Sequence, residues 1–160
     1  MSNRFTEKAK SALNNSVGIA ENLGHTYIGS EHILLSLAKE FESSSSLILL
    51  KHDMSYDKLL NTVKDYSGIG TKSTLTPKEM TPRCRRIVEN SYRISLKYGA
   101  EKIGSEHILL SLLDEKECVG VKILTFAGCD ITSLSDEVVT MLRSAEKHYE
   151  SARTKKKRKP

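Results

Sequence analysis

Apolar residues recur every three or four positions through most of the chain, a spacing that places them on one face of an α-helix. The first such segment follows Thr6, a residue type that caps helix starts, and stops at Gly24, which permits the left-handed turn that ends many helices. The inward-facing positions of this segment are Ala9, Leu13, Val17, Ala20 and Leu23. No segment alternates apolar and polar residues between turn signals, as a half-buried strand does. The pattern therefore predicts an all-α protein.

The same periodicity predicts about eight helices. In the first half, Ser30 and Ser55 are candidate caps of the second and fourth helices, and a third short helix follows Ser43–Ser46 as far as Lys51. The corresponding signals of the second half are Thr81 as cap, Pro82 at the first helical position, Gly99 at the end, Ser105 as the next cap, a helix over Cys118–Ala127, and Ser133 or Ser135 at the start of the last helix.

One motif occurs twice. Residues 29–37 read Gly-Ser-Glu-His-Ile-Leu-Leu-Ser-Leu, and residues 104–112 repeat the same nine letters at an offset of 75 residues. A core position needs only an apolar side chain of suitable volume, so packing explains the repeated Ile and Leu but not the repeated Ser-Glu-His. The duplication predicts two repeats, at about 4–66 and 79–143. A surface linker at 67–78, rich in Gly, Ser, Thr and Lys, would join them within one domain of residues 1–150.

The formal charge of +5 comes from the carboxyl-terminal end of the sequence. Residues 1–150 hold 19 basic and 20 acidic side chains, whereas residues 151–160 hold six basic and none acidic. We predict a flexible, extended basic tail or linker, with nucleic-acid contact through the tail as a weaker alternative. No apolar run approaches the roughly 20 residues of a transmembrane helix. We therefore expect a cytoplasmic protein that binds neither membrane nor nucleic acid.

The candidate binding residues lie at helix starts. Glu31 and Glu106 each fall in a predicted first turn, where we expect a surface carboxylate that the helix dipole favours but does not require to be glutamate. A threonine and a cation four residues later recur at the head of both long helices. These pairs are Thr6 with Lys10, and Thr81 with Arg85. A helix start with a hydroxyl and a cation suits a phosphate, and a carboxylate suits a guanidinium, so the set favours a ligand with both ends.

The pairs Glu31-His32 and Glu106-His107 place a carboxylate beside an imidazole, as some metal and acid–base sites do. Adjacent helical residues diverge by about 100°, however, and neither copy has the second His four residues later that a helical zinc site needs. We predict histidines that bond to backbone or pack against the neighbouring helix. No metal, cofactor or catalytic residue is expected.

These residues resemble a known family. The segments Arg4-Phe5-Thr6-Glu7-Lys8-Ala9, Leu23-Gly24-His25, Ile28 to Leu35, Thr81-Pro82-Arg83 and Ile103 to Leu110 are similar to the double Clp repeat, the amino-terminal domain of Clp-family AAA+ unfoldases, of the ClpC type above all. The resemblance covers about residues 3–143. It implies two pseudo-twofold-related four-helix repeats that capture substrate or adaptor proteins above an ATPase ring, with a ClpP-type peptidase reached only through the parent ATPase.

The resemblance also implies two symmetry-related pockets for phosphorylated arginine. The family pattern maps onto Glu31, Thr6, Lys10 and Ile28, and onto Glu106, Thr81, Arg85 and Ile103, with exchange of the cations between pockets left open. The usual Gly-Glu-Gly after the second helix of each repeat is absent here, which bears on adaptor contacts. A stand-alone accessory protein that binds a Clp ring or an adaptor is the alternative function.

Overall fold

The structure is a computed structural model that describes the backbone of residues 3–158 and the side chains of residues 3–155. It confirms the all-α prediction, since the described residues form eight α-helices and no β-strand. The helices are α1 (Glu7–Asn22), α2 (Ser30–Lys39), α3 (Ser44–Lys51), α4 (Tyr56–Ser67), α5 (Pro82–Lys97), α6 (Ser105–Asp114), α7 (Val119–Phe126) and α8 (Ile131–Arg158). None of these helices combines the length and the apolar character that a bilayer crossing requires.

The two halves of the chain adopt one four-helix arrangement twice, α1–α4 and α5–α8, about a pseudo-twofold axis. Two short parallel backbone bridges join them, Phe5 with Ile103 and Ile28 with Met80. Adding the 75-residue offset to Phe5 gives Met80, and adding it to Ile28 gives Ile103. The two bridges are therefore one contact repeated by the pseudo-symmetry, as the duplication predicts.

The core is centred on α2 and α6, the helices that begin with the repeated motif. Helix α2 packs against α1 and α6 packs against α5, and α2 and α6 also contact each other. Leu34, Leu35 and Leu109 are fully buried there, and burial of each such side chain contributes about 1.5–3 kcal/mol. Packing therefore fixes the two helix starts that carry Glu31 and Glu106.

The predicted signals at the ends of the long helices α1 and α5 are confirmed. The hydroxyl groups of Thr6 and Thr81 each accept a first-turn backbone N–H at 3.1 Å. Gly24 and Gly99, just beyond the helix ends, have φ angles of 73° and 69°, in the left-handed region that favours glycine. These four residues set where α1 and α5 begin and end, and so where their amino-terminal dipole ends lie.

The predicted start of the last helix is wrong by a few residues. Helix α8 begins at Ile131, not at Ser133 or Ser135. The reason is that the Asp130 carboxylate accepts the backbone N–H of Ser133 at 3.1 Å, which makes the aspartate the capping side chain.

The prediction of an extended tail is also wrong over residues 151–158, because α8 continues through them to Arg158. Lys, Arg and Glu are good helix formers even where nothing packs on them, so a run without apolar residues can still prolong a helix. Lys159 and Pro160 lie outside the described residues.

The linker between the repeats is shorter than predicted and is fastened to the end of α1. Ser67 belongs to α4, and Pro77–Glu79 form a 3₁₀ helix. Between them, the Gly70 N–H donates to the Leu23 carbonyl oxygen at 2.9 Å. A Cβ atom on Gly70 would lie 2.3 Å from the carbonyl oxygen of Gly24, so this approach of two backbones requires glycine.

We expect the two repeats to unfold as one unit, because separating them would expose α2 and α6 where they contact each other and the opposite long helices. Differential scanning calorimetry of the whole chain should show one transition, with equal calorimetric and van't Hoff enthalpies. Two separated transitions, each preserved in an isolated half, would contradict this expectation.

Candidate functional site

The backbone bridge between Ile28 and Met80 brings the start of α5 to the start of α2. The N–H of Thr81 donates to the carbonyl oxygen of Ile28 at 2.9 Å, and the N–H of Ile28 donates to the Glu79 carbonyl oxygen at 3.0 Å. Glu31 follows Ile28 by three residues. The threonine of the second repeat therefore adjoins the glutamate of the first.

The bridge between Phe5 and Ile103 makes the reciprocal contact. In it, the N–H of Thr6 donates to the carbonyl oxygen of Ile103 at 2.9 Å. Thr6 thus adjoins the helix start that carries Glu106. The two residue sets that the resemblance implies are combined across the repeats: Thr81 lies with Ile28 and Glu31, and Thr6 lies with Ile103 and Glu106.

A surface groove of about 510 Å³ lies where α5 meets α2, and it is called the Glu31 groove below. Its volume lies within the range of ordinary ligand pockets. The residues that line it are Tyr27, Gly29, Ser30, Glu31, Thr81, Pro82, Arg83, Arg86 and Val119. Both repeats therefore contribute to one concave site.

The repeated glycine is explained by the position of the glutamate. A Cβ atom on Gly29 would lie 2.2 Å from a carboxylate oxygen of Glu31, and one on Gly104 would lie 1.6 Å from a carboxylate oxygen of Glu106. Both carboxylates fold back over their own helix start. A residue with a side chain at either glycine position would displace the glutamate.

The repeated serine fastens the two repeats together. The Ser30 hydroxyl accepts the N–H of Gly120 at 2.8 Å, and the Ser105 hydroxyl accepts the N–H of Ser45 at 3.2 Å. The prediction that these serines cap α2 and α6 is wrong, because each is the first helical residue and the preceding glycine is the N-cap.

The N-cap glycines of α2 and α6 have no side chain with which to cap the helix, and the repeated histidine bonds to the backbone of each glycine instead. Nδ1 of His32 accepts the N–H of Gly29 at 2.9 Å, and Nδ1 of His107 accepts the N–H of Gly104 at 2.8 Å. This confirms the predicted backbone bonding. Burial lowers the pKa of His32 to about 3, so its ring is neutral at ordinary pH. Within the repeated Gly-Ser-Glu-His, only the glutamate now lacks a role in the fold.

Glu31 is buried, contrary to the expected surface position, with 1% of its area exposed. The hydroxyl of Tyr27 donates to its carboxylate at 2.9 Å. Burial raises the pKa of the Glu31 carboxyl above its ordinary range, and burial together with this carboxylate raises the pKa of Tyr27 to about 12. Among the side chains that the structure describes, no lysine or arginine forms an ion pair with Glu31. The groove therefore holds a desolvated carboxylate that a guanidinium would stabilise.

Two arginines that the sequence analysis did not select supply the positive charge of this groove. Nε of Arg86 lies 3.0 Å from a carboxylate oxygen of Glu115, and Nη1 of Arg83 donates to the carbonyl oxygen of Glu117 at 2.8 Å. Each guanidinium has five N–H donors in a fixed fork, so each keeps others for a ligand. Both arginines lie in the first turns of α5, and the start of α5 is a predicted phosphate site. That position in the sequence could have identified them as candidates.

Arg85, the predicted cation, points elsewhere. Its Nε donates to the carbonyl oxygen of Met80 at 3.2 Å, and its Nη2 donates to that of Lys78 at 2.9 Å. Its side chain lines a separate apolar groove between α1 and α5, with Leu13 and Val88 among its neighbours. The structure therefore does not bring Arg85 to Glu31 or Glu106.

The region around Glu106, called the Glu106 site below, is less enclosed. The Glu106 side chain is 22% exposed, and its Oε1 lies 3.8 Å from Nδ1 of His107. Lys10, the predicted cation of the first repeat, pairs at 3.2 Å with Glu7 on its own helix. The Glu106 site therefore brings Thr6 to Glu106, but Lys10 is engaged by an acid.

A pair of histidines underlies the Glu31 groove. Because Nδ1 of His32 accepts a backbone N–H, its Nε2 carries the proton and donates to Nδ1 of His25 at 2.7 Å; Nε2 of His25 then donates to the Gly68 carbonyl oxygen at 2.9 Å. The rings of His25 and Tyr27 stack, with centroids 5.7 Å apart. This chain of bonds ties the linker to the tyrosine that holds Glu31. Sequence patterns gave no signal for it.

The fold and site together define a class of protein. A duplicated helical domain places a buried carboxylate opposite a helix start with two arginines, and the described residues contain no group of three His, Cys, Asp or Glu side chains that could hold a metal ion. The charges of this arrangement are complementary to a ligand that carries both a cationic and an anionic group.

The family model of the Clp repeat N-terminal domain matches the chain twice, over residues 4–127 and 79–157. The chain therefore belongs to the Clp repeat N-terminal domain family. Chaperone protein ClpB of Oceanobacillus iheyensis is 36% identical over 91% of this chain, and the negative regulator of genetic competence ClpC/MecB of Bacillus subtilis is 34% identical over 96% of it. The chain spans 18% and 19% of the lengths of these two relatives.

Solved structures share the fold. The N-terminal domain of the chaperone ClpD from Arabidopsis thaliana superposes with a TM-score of 0.71 at 22% identity, covering 87% of this chain and 97% of that domain. A complex of the ClpV N-domain with a VipB peptide gives a TM-score of 0.63 at 17% identity, covering 87% of each chain. At these identities the likeness concerns the fold alone.

Proposed function

We propose that this chain is a non-catalytic recognition domain that captures substrate or adaptor proteins for a Clp-type ATP-dependent unfoldase. Membership in the Clp repeat family supports the proposal, as does the peptide complex of the ClpV N-domain. Access to a ClpP-type peptidase would come only through the parent ATPase. The observation that carries the proposal is the buried Glu31 carboxylate, which no described cation pairs, facing the start of α5 in an open groove.

The ligand that suits this groove best is a phosphorylated arginine side chain on a captured protein. Its guanidinium can donate two parallel hydrogen bonds to Glu31, and its phosphoryl group can lie at the positive end of α5 near Thr81. Arg83 and Arg86 line the same groove and can add charge-assisted bonds to the phosphoryl oxygens. Arginine alone or phosphate alone would satisfy half of the site.

The Glu106 site is the pseudo-symmetric counterpart, formed by Thr6, Ile103 and Glu106. The crossed bridges support assigning it the same kind of ligand, with a guanidinium on Glu106 and a phosphoryl group at the start of α1. Lys10 could serve it only if the lysine left its pairing with Glu7.

Isothermal titration calorimetry tests the proposed ligand. We expect phosphoarginine to bind the chain at least about tenfold more tightly than arginine, phosphoserine or inorganic phosphate, because only phosphoarginine engages both ends of the groove. A peptide that carries phosphoarginine should compete with the free amino acid. Equal affinities for all four small ligands, or no binding of phosphoarginine, would contradict the proposal.

We expect phosphoarginine binding to weaken as the pH falls. Glu31 must be ionised to hold a guanidinium, and burial places its pKa above that of an ordinary glutamate, so protonation sets in at a higher pH than usual. Affinity should be full above the raised pKa and should fall as the pH drops through it, at a higher pH than an ordinary glutamate would require. Circular dichroism at each pH would show that the fold persists. An affinity that rises with acidification would contradict the assignment to Glu31.

A further inference from the structure

We infer that the two sites are unequal, and that the Glu31 groove binds phosphoarginine strongly while the Glu106 site stays empty at ligand concentrations that fill the groove. This inference rests on the proposed function. It is carried by five positions, in the groove or directly beneath it, at which the pseudo-symmetry puts a residue of different chemistry in the other copy. Written with the residue of the Glu31 groove first, these pairs are Tyr27 and Lys102, His25 and Ala100, Pro82 and Glu7, Arg83 and Lys8, and Arg86 and Ser11.

The cationic end of the ligand meets a prearranged carboxylate only in the groove. The Tyr27 hydroxyl holds Glu31 at 2.9 Å, and Glu31 is 1% exposed. Lys102, which is exposed, occupies the position of Tyr27 in the second repeat, and the Glu106 side chain is 22% exposed. A fixed, desolvated carboxylate gains more from a guanidinium than a solvated one does.

The support beneath the carboxylate is likewise present in one copy. His25 stacks on Tyr27 and bonds to His32, which fixes the tyrosine ring against the core. Ala100 occupies the equivalent position in the second repeat and has no ring to stack or polar group to bond. Less conformational freedom is therefore left to lose when a ligand enters the groove.

The anionic end of the ligand meets opposite conditions in the two sites. Pro82 is the first residue of α5, and it leaves the positive helix end without a competing charge. Glu7 is the first residue of α1, and its side chain is 87% exposed and pairs with Lys10. A carboxylate at this helix start already complements the dipole and repels a phosphoryl group.

The guanidinium groups of Arg83 and Arg86 have no counterpart at the equivalent positions of the first repeat. Arg86 is replaced by Ser11, and Arg83 is replaced by Lys8, whose amino group donates to the carbonyl oxygen of Phe41. An arginine can bind a phosphoryl group through two parallel N–H···O hydrogen bonds, whereas a lysine acts as a single point charge. The Glu106 site is therefore weaker at both ends.

Titration of the whole chain with phosphoarginine measures the inequality. We expect one ligand per chain in the tight phase, lost in Glu31→Gln and kept in Glu106→Gln. The variant Arg86→Ser should weaken this phase by about tenfold or more, while Arg85→Ser, a matched change one residue away, should leave it within about twofold. Two tight sites of equal affinity would overturn the inference and leave the proposed function standing, whereas no binding by the unmodified chain would overturn both.

Substitutions that copy residues of α5 onto the start of α1 test which positions make the two sites unequal. The double variant Glu7→Pro/Ser11→Arg gives the start of α1 the residues of α5, and proline is compatible with the first position of a helix. We expect the Glu106 site of this variant to bind phosphoarginine about tenfold or more tightly than in the unmodified chain, with circular dichroism confirming the helical fold. A folded variant whose Glu106 site binds no more tightly would overturn the contribution of Glu7 and Ser11 to the inequality.

Discussion

Replacement of Glu31 by glutamine is expected to weaken phosphoarginine binding in the Glu31 groove by about thirtyfold or more without lowering the melting temperature. The loss of a charge-assisted bidentate contact costs on the order of 2 kcal/mol or more, about thirtyfold in affinity. Folding should not suffer, because the amide oxygen can still accept from Tyr27 and a buried charge is removed. Burial raises the pKa of Glu31, so the folded state favours the protonated form and is destabilised by this group as the pH rises past the ordinary glutamate pKa. The measurements are titration calorimetry and thermal unfolding near neutral pH.

Glu89→Gln is the matched control for that experiment. Glu89 is an exposed residue of α5 that lines the separate groove near Arg85, so Glu89→Gln makes the same change of charge outside the Glu31 groove. It should leave phosphoarginine affinity nearly unchanged. A Glu31→Gln variant that melts far lower than the Glu89→Gln variant, or binds equally well, would show that Glu31 serves the fold.

Replacement of His32 by alanine should produce the second large effect, a loss of about 3 kcal/mol or more in the free energy of unfolding. The fully buried ring fills core volume, satisfies the N–H of the buried Gly29 and donates to His25. Each buried group left without a partner costs about 1–3 kcal/mol, and the cavity adds to the loss. Urea denaturation measures the change.

His107→Ala and His148→Ala complete the comparison. His107 bonds to Gly104 but has no second histidine beside it, because Ala100 stands where His25 does, so its loss should be smaller. His148 is exposed and should have little effect. A chelator that destabilised the unmodified chain as much as His32→Ala does would instead indicate a bound metal and contradict the structural role.

Local signals made most of the fold predictable. Thr6, Thr81 and Pro82 mark helix starts through chemistry confined to three or four residues, and the apolar periodicity between such marks is strong. The prediction of Ser30 and Ser105 as helix caps was wrong because a serine hydroxyl can accept the N–H of a distant residue instead of one in its own helix. Only the packing of the two repeats decides which N–H the hydroxyl accepts. The helical tail was not predicted because the absence of an apolar face does not prevent a segment rich in Lys and Arg from staying helical.

The candidate site was only partly predictable. The repeated Glu31 and Glu106 could be found because nothing in packing or capping requires glutamate at those positions. The sequence could not show that the threonine of one repeat lies beside the glutamate of the other. The offset of 75 residues is equally compatible with a threonine and a glutamate that meet within one repeat. The burial of Glu31 and the roles of Tyr27 and His25 depend on this contact between the repeats and on contacts that appear in one copy only.

The central claim is that the start of α2 and the start of α5 together receive a phosphorylated guanidinium, and a two-dimensional ¹H–¹⁵N NMR titration of the whole chain with phosphoarginine tests it most directly. We predict that the first amide signals to shift belong to residues 27–31, to Thr81 and to residues 83–86, and that these shifts vanish in Glu31→Gln. Shifts confined to other surfaces, such as the basic end of α8 or the apolar groove beside Arg85, would contradict the claim.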